Sequence, residues 1–352
     1  MKRLFRIPAF SIGFILTILF LLPAIPGYLI APDNSPDANE IVPEIANRKP
    51  GFICNFIRIS NTQNSNENSM LTTWLHGETP AGNLIPFQKS SLTSKGDSMR
   101  IQTLENEIRT FPVTKLVKNK SGYAFQRKYH LGTDRFGRDV LSRLILGARV
   151  SLFVGFISVV ISILLGVTIG MFAGYSGGKT DSILSWLIAV FWSVPTLLIA
   201  LGLSFVFGRG IGQVLIAVGL STWVEVARVV RGQTLQLREK EFILAARISG
   251  FSTLRILFRH ILPNLKGTLT VLATTNFASA ILLEAGLSFL GLGISPPAPS
   301  WGIMVKEHLG NLVLDSAYLA IIPGAAIMLL VMGFNFMSMG LRDAFDTRLN
   351  SY

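Results

Sequence analysis

Long apolar stretches punctuate this chain at residues 10–30, 151–172, 182–207, 211–230, 267–290 and 318–339. Each is close to the roughly 20 residues that a helix needs to cross a hydrocarbon core about 30 Å thick. Their apolarity is continuous rather than alternating with period two, which predicts helices and not the strands of a membrane barrel. Lys2, Arg3 and Arg6 precede the first stretch, and Pro23 and Pro26 shorten its strict apolar core. That stretch reads either as a first span or as a cleavable signal sequence. Cleavage would leave five spans, so an uncleaved helix is the better reading. The expected fold class is an all-α membrane protein with six transmembrane helices.

Between the first two stretches the pattern changes. Residues 31–128 are rich in Asn, Ser, Pro, Lys and Glu, include the run NTQNSNENS, and contain no apolar segment long enough to span. They predict a polar loop or domain on the outer side of the membrane. In the segment KYHLGTDRFGRDVLSRLILGARVS, Val140, Leu141, Leu144, Ile145 and Ala148 fall on one helical face, which predicts an interfacial helix ahead of the second span. The expected division is an anchor helix over 1–31, a polar insertion over 32–129, and a core of five helices over 130–349 with a cytoplasmic loop at 238–264.

Composition strengthens the membrane assignment. Half of the 352 residues are hydrophobic and 15% are charged, against about 25% charged in ordinary soluble domains. The net charge of +12 does not point to nucleic acid, because the basic residues sit at the ends of apolar runs rather than along one exposed face. Their distribution orients the chain instead. With the amino terminus inside, the short inner loops and termini hold Lys179, Arg228, Arg231, Arg238, Lys240, Arg342 and Arg348, whereas the short outer loops hold Arg209 and Lys306. Both termini are expected in the cytoplasm and the chain in the cytoplasmic membrane, in contact with lipid. The single cysteine, Cys54, excludes an intramolecular disulfide, and no Cys or His spacing fits zinc.

The longest inner loop, REKEFILAARISGFSTLRILFRHILPN, reads as helix, glycine break, helix. Phe242, Ala245 and Ala246 make a small-residue surface, Gly250 lets the chain turn, and Leu254, Leu257, Phe258 and Ile261 form a second apolar face that Pro263 ends. Such a segment either sits in the groove of a soluble partner or lies on the bilayer with Arg255 and Arg259 at the headgroups. Ala245, Ala246, Gly250, Leu262 and Pro263 match, in order and spacing, the signature loop of binding-protein-dependent ATP-binding-cassette permeases, in which Glu-Ala-Ala is followed after three residues by Gly and later by Leu-Pro. Leu244 stands where that family usually has Glu, and Glu241 one turn earlier offers a carboxylate in its place. HLGTDRFGRDVLSRLILGARVSL, AGYSGGKTD, EAGLSFLGLGISPPAPSWG and LRDAFDTRL resemble the dipeptide, oligopeptide and nickel permeases, and within them the second of two kinds of permease chain. The resemblance covers about residues 130–349.

It implies a transport subunit and not an enzyme. It implies pairing with a second, different permease, two ATPase subunits beneath that use ATP and magnesium, and an extracytoplasmic binding protein above. Leu244, Ala245, Ala246, Gly250, Leu262 and Pro263 would couple to the ATPases. The cargo implied is a dipeptide or oligopeptide, with nickel or another small solute as the alternative. The chain itself is expected to bind no cofactor. In GYSGGKTD, Ala173 stands where a phosphate-binding loop requires its first glycine; Gly174, Gly177 and Gly178 predict a tight inner turn.

Glu284 lies within the fifth apolar stretch, where an ionisable group is a functional candidate. Asn276 and Ser279 share its surroundings and line a polar path with it, or else serve as hydrogen-bonding groups between helices. Glu225 and Arg228 have the i, i+3 spacing of an ion pair. Trp186, Trp192, Trp223 and Trp301 read as interfacial or packing aromatics, and ISPPAPSWG as a rigid outer lid or docking surface. A secondary transporter would show a mid-span ion-coupling carboxylate or matched broken helices, and a membrane enzyme would show a catalytic motif; the sequence displays neither.

Overall fold

A computed structural model describes residues 4–60, 69–88, 93–95, 97–118, 122–313 and 316–345. Most of the NTQNSNENS run and the end of LRDAFDTRL lie outside them. The first apolar stretch forms α1, Pro8–Ala24, a helix of 17 residues, or about 25 Å at 1.5 Å per residue. The predicted interfacial helix and second span are one continuous helix, α3, Val140–Ser176. Nothing in that sequence stops a helix, and the Asp139 side chain caps its start by accepting from the Ser142 amide. At 37 residues it is far longer than the bilayer requires, so its first turns are covered by protein instead of lipid.

The third stretch is not a straight span. It breaks into α4, Gly178–Trp192, and α5, Thr196–Phe207, which meet at 91°. Pro195 cannot donate to a helical ladder and takes an extended ψ of 128° at the start of α5. Helices α6, Ile211–Arg238, α10, Lys266–Leu290, and α12, Tyr318–Phe345, follow the predicted spans. Among the described residues, four helices are long and apolar enough to cross a membrane, five if the bent pair counts as one; α1 is shorter.

Close approach of α3 and α6 organises the bundle. Gly166, Gly170 and Gly174, spaced by four, face α6 so closely that a Cβ at Gly170 would stand 2.5 Å from the Ala227 carbonyl oxygen and one at Gly174 2.7 Å from that of Arg231. Small residues at this spacing are the usual means by which membrane helices pack when burial in lipid gives no drive.

The polar insertion corrects the all-α expectation. Two antiparallel three-stranded sheets are present. In the first, β1 (Phe52–Ser60) lies between β2 (Gly82–Phe87) and β6 (Ala124–Tyr129); in the second, β4 (Ser98–Gln102) lies between β3 (Thr93–Lys95) and β5 (Ile108–Pro112). Phe56 pairs with Pro86 on one side and Phe125 on the other. Alternate residues Cys54 and Phe56 point into a core with Val42, Ile45 and Tyr129, where burial pushes the Cys54 thiol up to about 11. The strands are short and their loops polar, so average composition hides the alternation. The helix α2, Met70–His76, leans on the C-terminal end of α1 through the Trp74 indole, which donates to the Ile25 carbonyl at 2.7 Å.

Candidate coupling face and membrane cleft

At its C-terminal end α6 stops at Arg238, Lys240 takes an extended conformation, and α7, Glu241–Ile248, begins. Gly250 closes α7 with φ +75°. Its amide donates to the Arg247 carbonyl at 3.0 Å and that of Phe251 to the Ala246 carbonyl at 3.2 Å, the paired bonds of a Schellman cap. The space around Gly250 is open, so the backbone angle, and not crowding, is what requires glycine there. The chain then runs through α8, Thr253–Ile256, a π turn at Leu257–Ile261, and α9, Leu262–Asn264.

Pro263 therefore does not end the segment, contrary to the sequence expectation. The π turn shifts the ladder so that Leu262 donates to Leu257, and the missing Pro263 donor falls where the helix has already been re-registered. Leu265 continues in helical conformation into α10.

The residues expected to couple divide between two faces. Ile243, Ala246, Ile256, Leu257 and Ile261 are buried against Met171, Tyr175, Val226 and Val230 in the C-terminal halves of α3 and α6. Phe242, Leu244, Ala245, Ile248, Phe251, Leu254 and Phe258 are exposed, Ile248 to 88%. Ala246, Leu257 and Ile261 thus serve the core, while Leu244 and Ala245 point outward; Leu262 is half-buried and Pro263 exposed. Arg255 lies 4.5 Å from the Phe251 ring centre and Arg247 5.4 Å from that of Tyr175.

Within the membrane, the bend between α4 and α5 faces α6 and α10 across a cleft of about 610 Å³. Ser279 lines it together with Ser193, Thr196, Ser221, Thr222 and Glu225. Glu284 and Asn276 do not. Glu284 is 1% exposed and accepts from Ser151 Oγ at 3.2 Å and Ser288 Oγ at 2.8 Å. Asn276 is also buried, and its Nδ2 donates to Ser162 Oγ at 3.2 Å. Five residues of helix rotate about 140° at 100° each, which turns Ser279 toward the cleft and Glu284 toward α3. Arg228 makes no ion pair with Glu225; it stacks 4.0 Å from the Trp192 ring centre. Arg231 reaches Asp181 with a bidentate contact of 2.7 and 2.9 Å.

Residues 166–351, more than half of the chain, match the family described as binding-protein-dependent transport system inner membrane component. The chain belongs to this family. The oligopeptide transport system permease protein OppC of Bacillus subtilis (strain 168) is 40% identical over 223 residues, 63% of this chain and 73% of that protein. The dipeptide transport system permease protein DppC of the same organism is 41% identical over 218 residues, 62% and 68% of the two chains. The glutathione transport system permease protein GsiD of Pectobacterium atrosepticum is 40% identical over 221 residues, 63% and 73%.

This inner-membrane component is a transport subunit, not an enzyme, and the end of its bundle at the start of α3 is held by charge. Arg138 donates to Asp134 at 2.6 Å and to Glu307 at 2.9 Å, and all three side chains are almost enclosed. Glu307 ends α11, Trp301–Glu307, whose Ser300 cap accepts from the Ile303 amide. Trp301 is wholly buried and its indole donates to the Leu144 carbonyl at 2.9 Å, so the end of ISPPAPSWG packs on α3 and does not stand free. Sequence reading missed this network because Glu307 lies 169 residues along the chain from Arg138; the nearest signal was the Gly and Asp-rich turn before α3 that holds Asp134 and Arg138.

Proposed function

We propose that this chain is one of two different permease subunits of an ATP-driven importer that carries short peptides across the cytoplasmic membrane by alternating access. Both termini lie in the cytoplasm in this reading, two ATPase subunits dock beneath, and an extracytoplasmic binding protein delivers cargo from above. Peptides are favoured over nickel because OppC, DppC and GsiD are named for oligopeptide, dipeptide and glutathione transport.

The observation that carries the coupling role is the two-faced segment from α7 to α9. Its buried face fixes it to α3 and α6, while Phe242, Leu244, Ala245, Ile248 and Leu254 present apolar surface with no partner in this chain. An exposed apolar face of this kind suits a soluble protein's groove. Movement of an attached ATPase would then be passed to α6 and α10, provided that nucleotide favours one conformation over the other. Leu244 makes the contact hydrophobic where the family has a carboxylate, with Glu241 in the first turn of α7 as the nearest acid.

Gly250→Val tests the assignment. A β-branched residue at φ +75° costs on the order of 1–3 kcal/mol, enough to unwind the cap. Uptake should fall at least about tenfold, with reduced copurification of the ATPases and loss of transport-stimulated ATP hydrolysis. Wild-type uptake in cells lacking a partner ATPase would sink the importer reading.

A further inference from the structure

The cleft beneath the α4–α5 bend carries a charge that this chain does not neutralise. Glu225 is exposed on α6 within the apolar stretch 211–230, and an unpaired carboxylate in a membrane segment is expensive. Arg228 is spaced to pair with it but is laid on Trp192 instead, and Arg231 is committed to Asp181. Glu225 is therefore the one charged side chain among the described residues that line the cleft.

Nearby hydroxyls give the site a direction. Ser193 donates to the Val190 carbonyl at 2.7 Å, and Ser221 and Thr222 both donate to the Val218 carbonyl, at 2.9 and 3.0 Å. Their hydrogens are used within their own helices, which leaves oxygen lone pairs for a ligand. A carboxylate beside hydroxyl acceptors suits a strong donor with positive charge, and the aromatic wall of Phe191 and Trp192 is compatible with a cation as well. An anionic ligand would meet repulsion.

We propose that Glu225, with the Ser193, Ser221 and Thr222 oxygens, forms a subsite for a primary ammonium, the amino terminus of the peptide in transit. This rests on the peptide-import reading above. The geometry gives Glu225 a transport role in place of the ion pair with Arg228 that its spacing suggests.

The test uses the complete importer, with binding protein and ATPases, in proteoliposomes. Uptake of tri-alanine, N-acetyl-tri-alanine and tri-alanine amide is compared for wild type, Glu225→Gln and Glu225→Asp. The ratio of wild-type to variant rate for one peptide cancels the preference of the binding protein. Glu225→Gln should slow tri-alanine and its amide about tenfold, the effect of losing a charge-assisted hydrogen bond, and change the acetylated peptide less than about twofold. Glu225→Asp should recover most of the free-amine rate. Equal slowing of all three peptides would overturn the proposal and assign Glu225 to a contact with the second permease, which copurification would register. Unchanged rates for all three would overturn it outright. Absence of any ATP-dependent uptake by the wild type would instead remove the import reading beneath it.

Discussion

Single residues around the Asp134–Arg138–Glu307 network show how burial sets a charge state. His308 is 1% exposed; its Nδ1 lies 2.7 Å from the Met304 carbonyl oxygen, and its Nε2 has no partner. A carbonyl only accepts, so the ring carries its proton on Nδ1 and presents a bare Nε2 to the interior. Burial, the largest cause, lowers its pKa below the ordinary imidazole value, with Arg138 acting in the same sense and Asp134 and Glu307 opposing. A lowered folded value means that the unfolded chain takes up the proton first. The neutral ring's contribution is complete above the unfolded pKa of about 6.5 and is lost as pH falls below it. The melting temperature of the detergent-purified complex should therefore drop between about pH 7 and 5.5. His308→Leu should remove that part of the slope, since other titrating groups such as Asp139 act equally in both proteins. An identical pH profile for the two would exclude His308 as the source.

At the scale of elements, the glycine seam between α3 and α6 makes a sharp contrast. A Cβ at Gly170 meets a backbone oxygen 2.5 Å away, which has little freedom to yield, whereas one at Gly232 on α6 meets nothing within 4 Å. Gly170→Ala should destabilise by about 1–3 kcal/mol through overpacking. Gly232→Ala should be neutral or stabilise by up to about 1 kcal/mol through helix propensity. Thermal melts of the two variants decide, and equal shifts would show that the close approach is not what holds these helices. The seam was present in the sequence as a four-residue spacing, yet its partner helix was not. The spans were legible because lipid demands long uninterrupted apolarity. Their interruptions were not: Ser193–Val194–Pro195 bends a helix by 91°, while Pro323 sits inside α12 without ending it. What differs is the packing around each proline, which no local pattern records. The segment from α7 to α9 stands out in the sequence by its Ala-Ala, Gly and Leu-Pro positions, but periodicity could not tell its core-facing residues from its outward ones, because both faces are apolar. The cleft was located poorly for a related reason. Asn276 and Glu284 are the conspicuous polar residues of α10 and are buried inside the bundle, each hydrogen-bonded to serine on α3, while modest hydroxyls on three helices line the opening.

For the whole molecule, the sheets and the helical bundle are joined more deeply than the change in composition at residues 31 and 129 suggests. Asp33 is buried, and its amide donates to Ser142 Oγ of α3 at 2.8 Å. The Val42 amide donates to the Phe136 carbonyl and the Asn47 amide to that of Asp134, so residues 42–48 form a platform with 132–138 beneath the strands. Phe52 and Tyr129 are direct partners at the base of β1 and β6, which places the two chain ends a strand spacing apart, about 5 Å. A two-residue turn can close that gap. Excision of 53–128 with an Asn-Gly closure should leave a membrane-inserted, assembled subunit of reduced stability, since Val42 and Ile45 lose their cover from Cys54, Phe56 and Leu84. Excision of 32–129 removes Asp33, Val42 and Ile45 themselves and strips the support from the Asp134–Arg138 pair. Breaking the surroundings of a buried ion pair typically costs about 3–5 kcal/mol, a large part of a typical domain's stability of roughly 5–15 kcal/mol. That variant should fail to accumulate in membranes. Quantifying both proteins in isolated membranes, with copurification of the partner subunits, distinguishes a platform shared with the bundle from a detachable insertion. Equal accumulation of the two would favour the detachable form; failure of the larger excision alone would leave the strands above the platform as the only part of residues 32–129 whose function can be sought separately from the bundle.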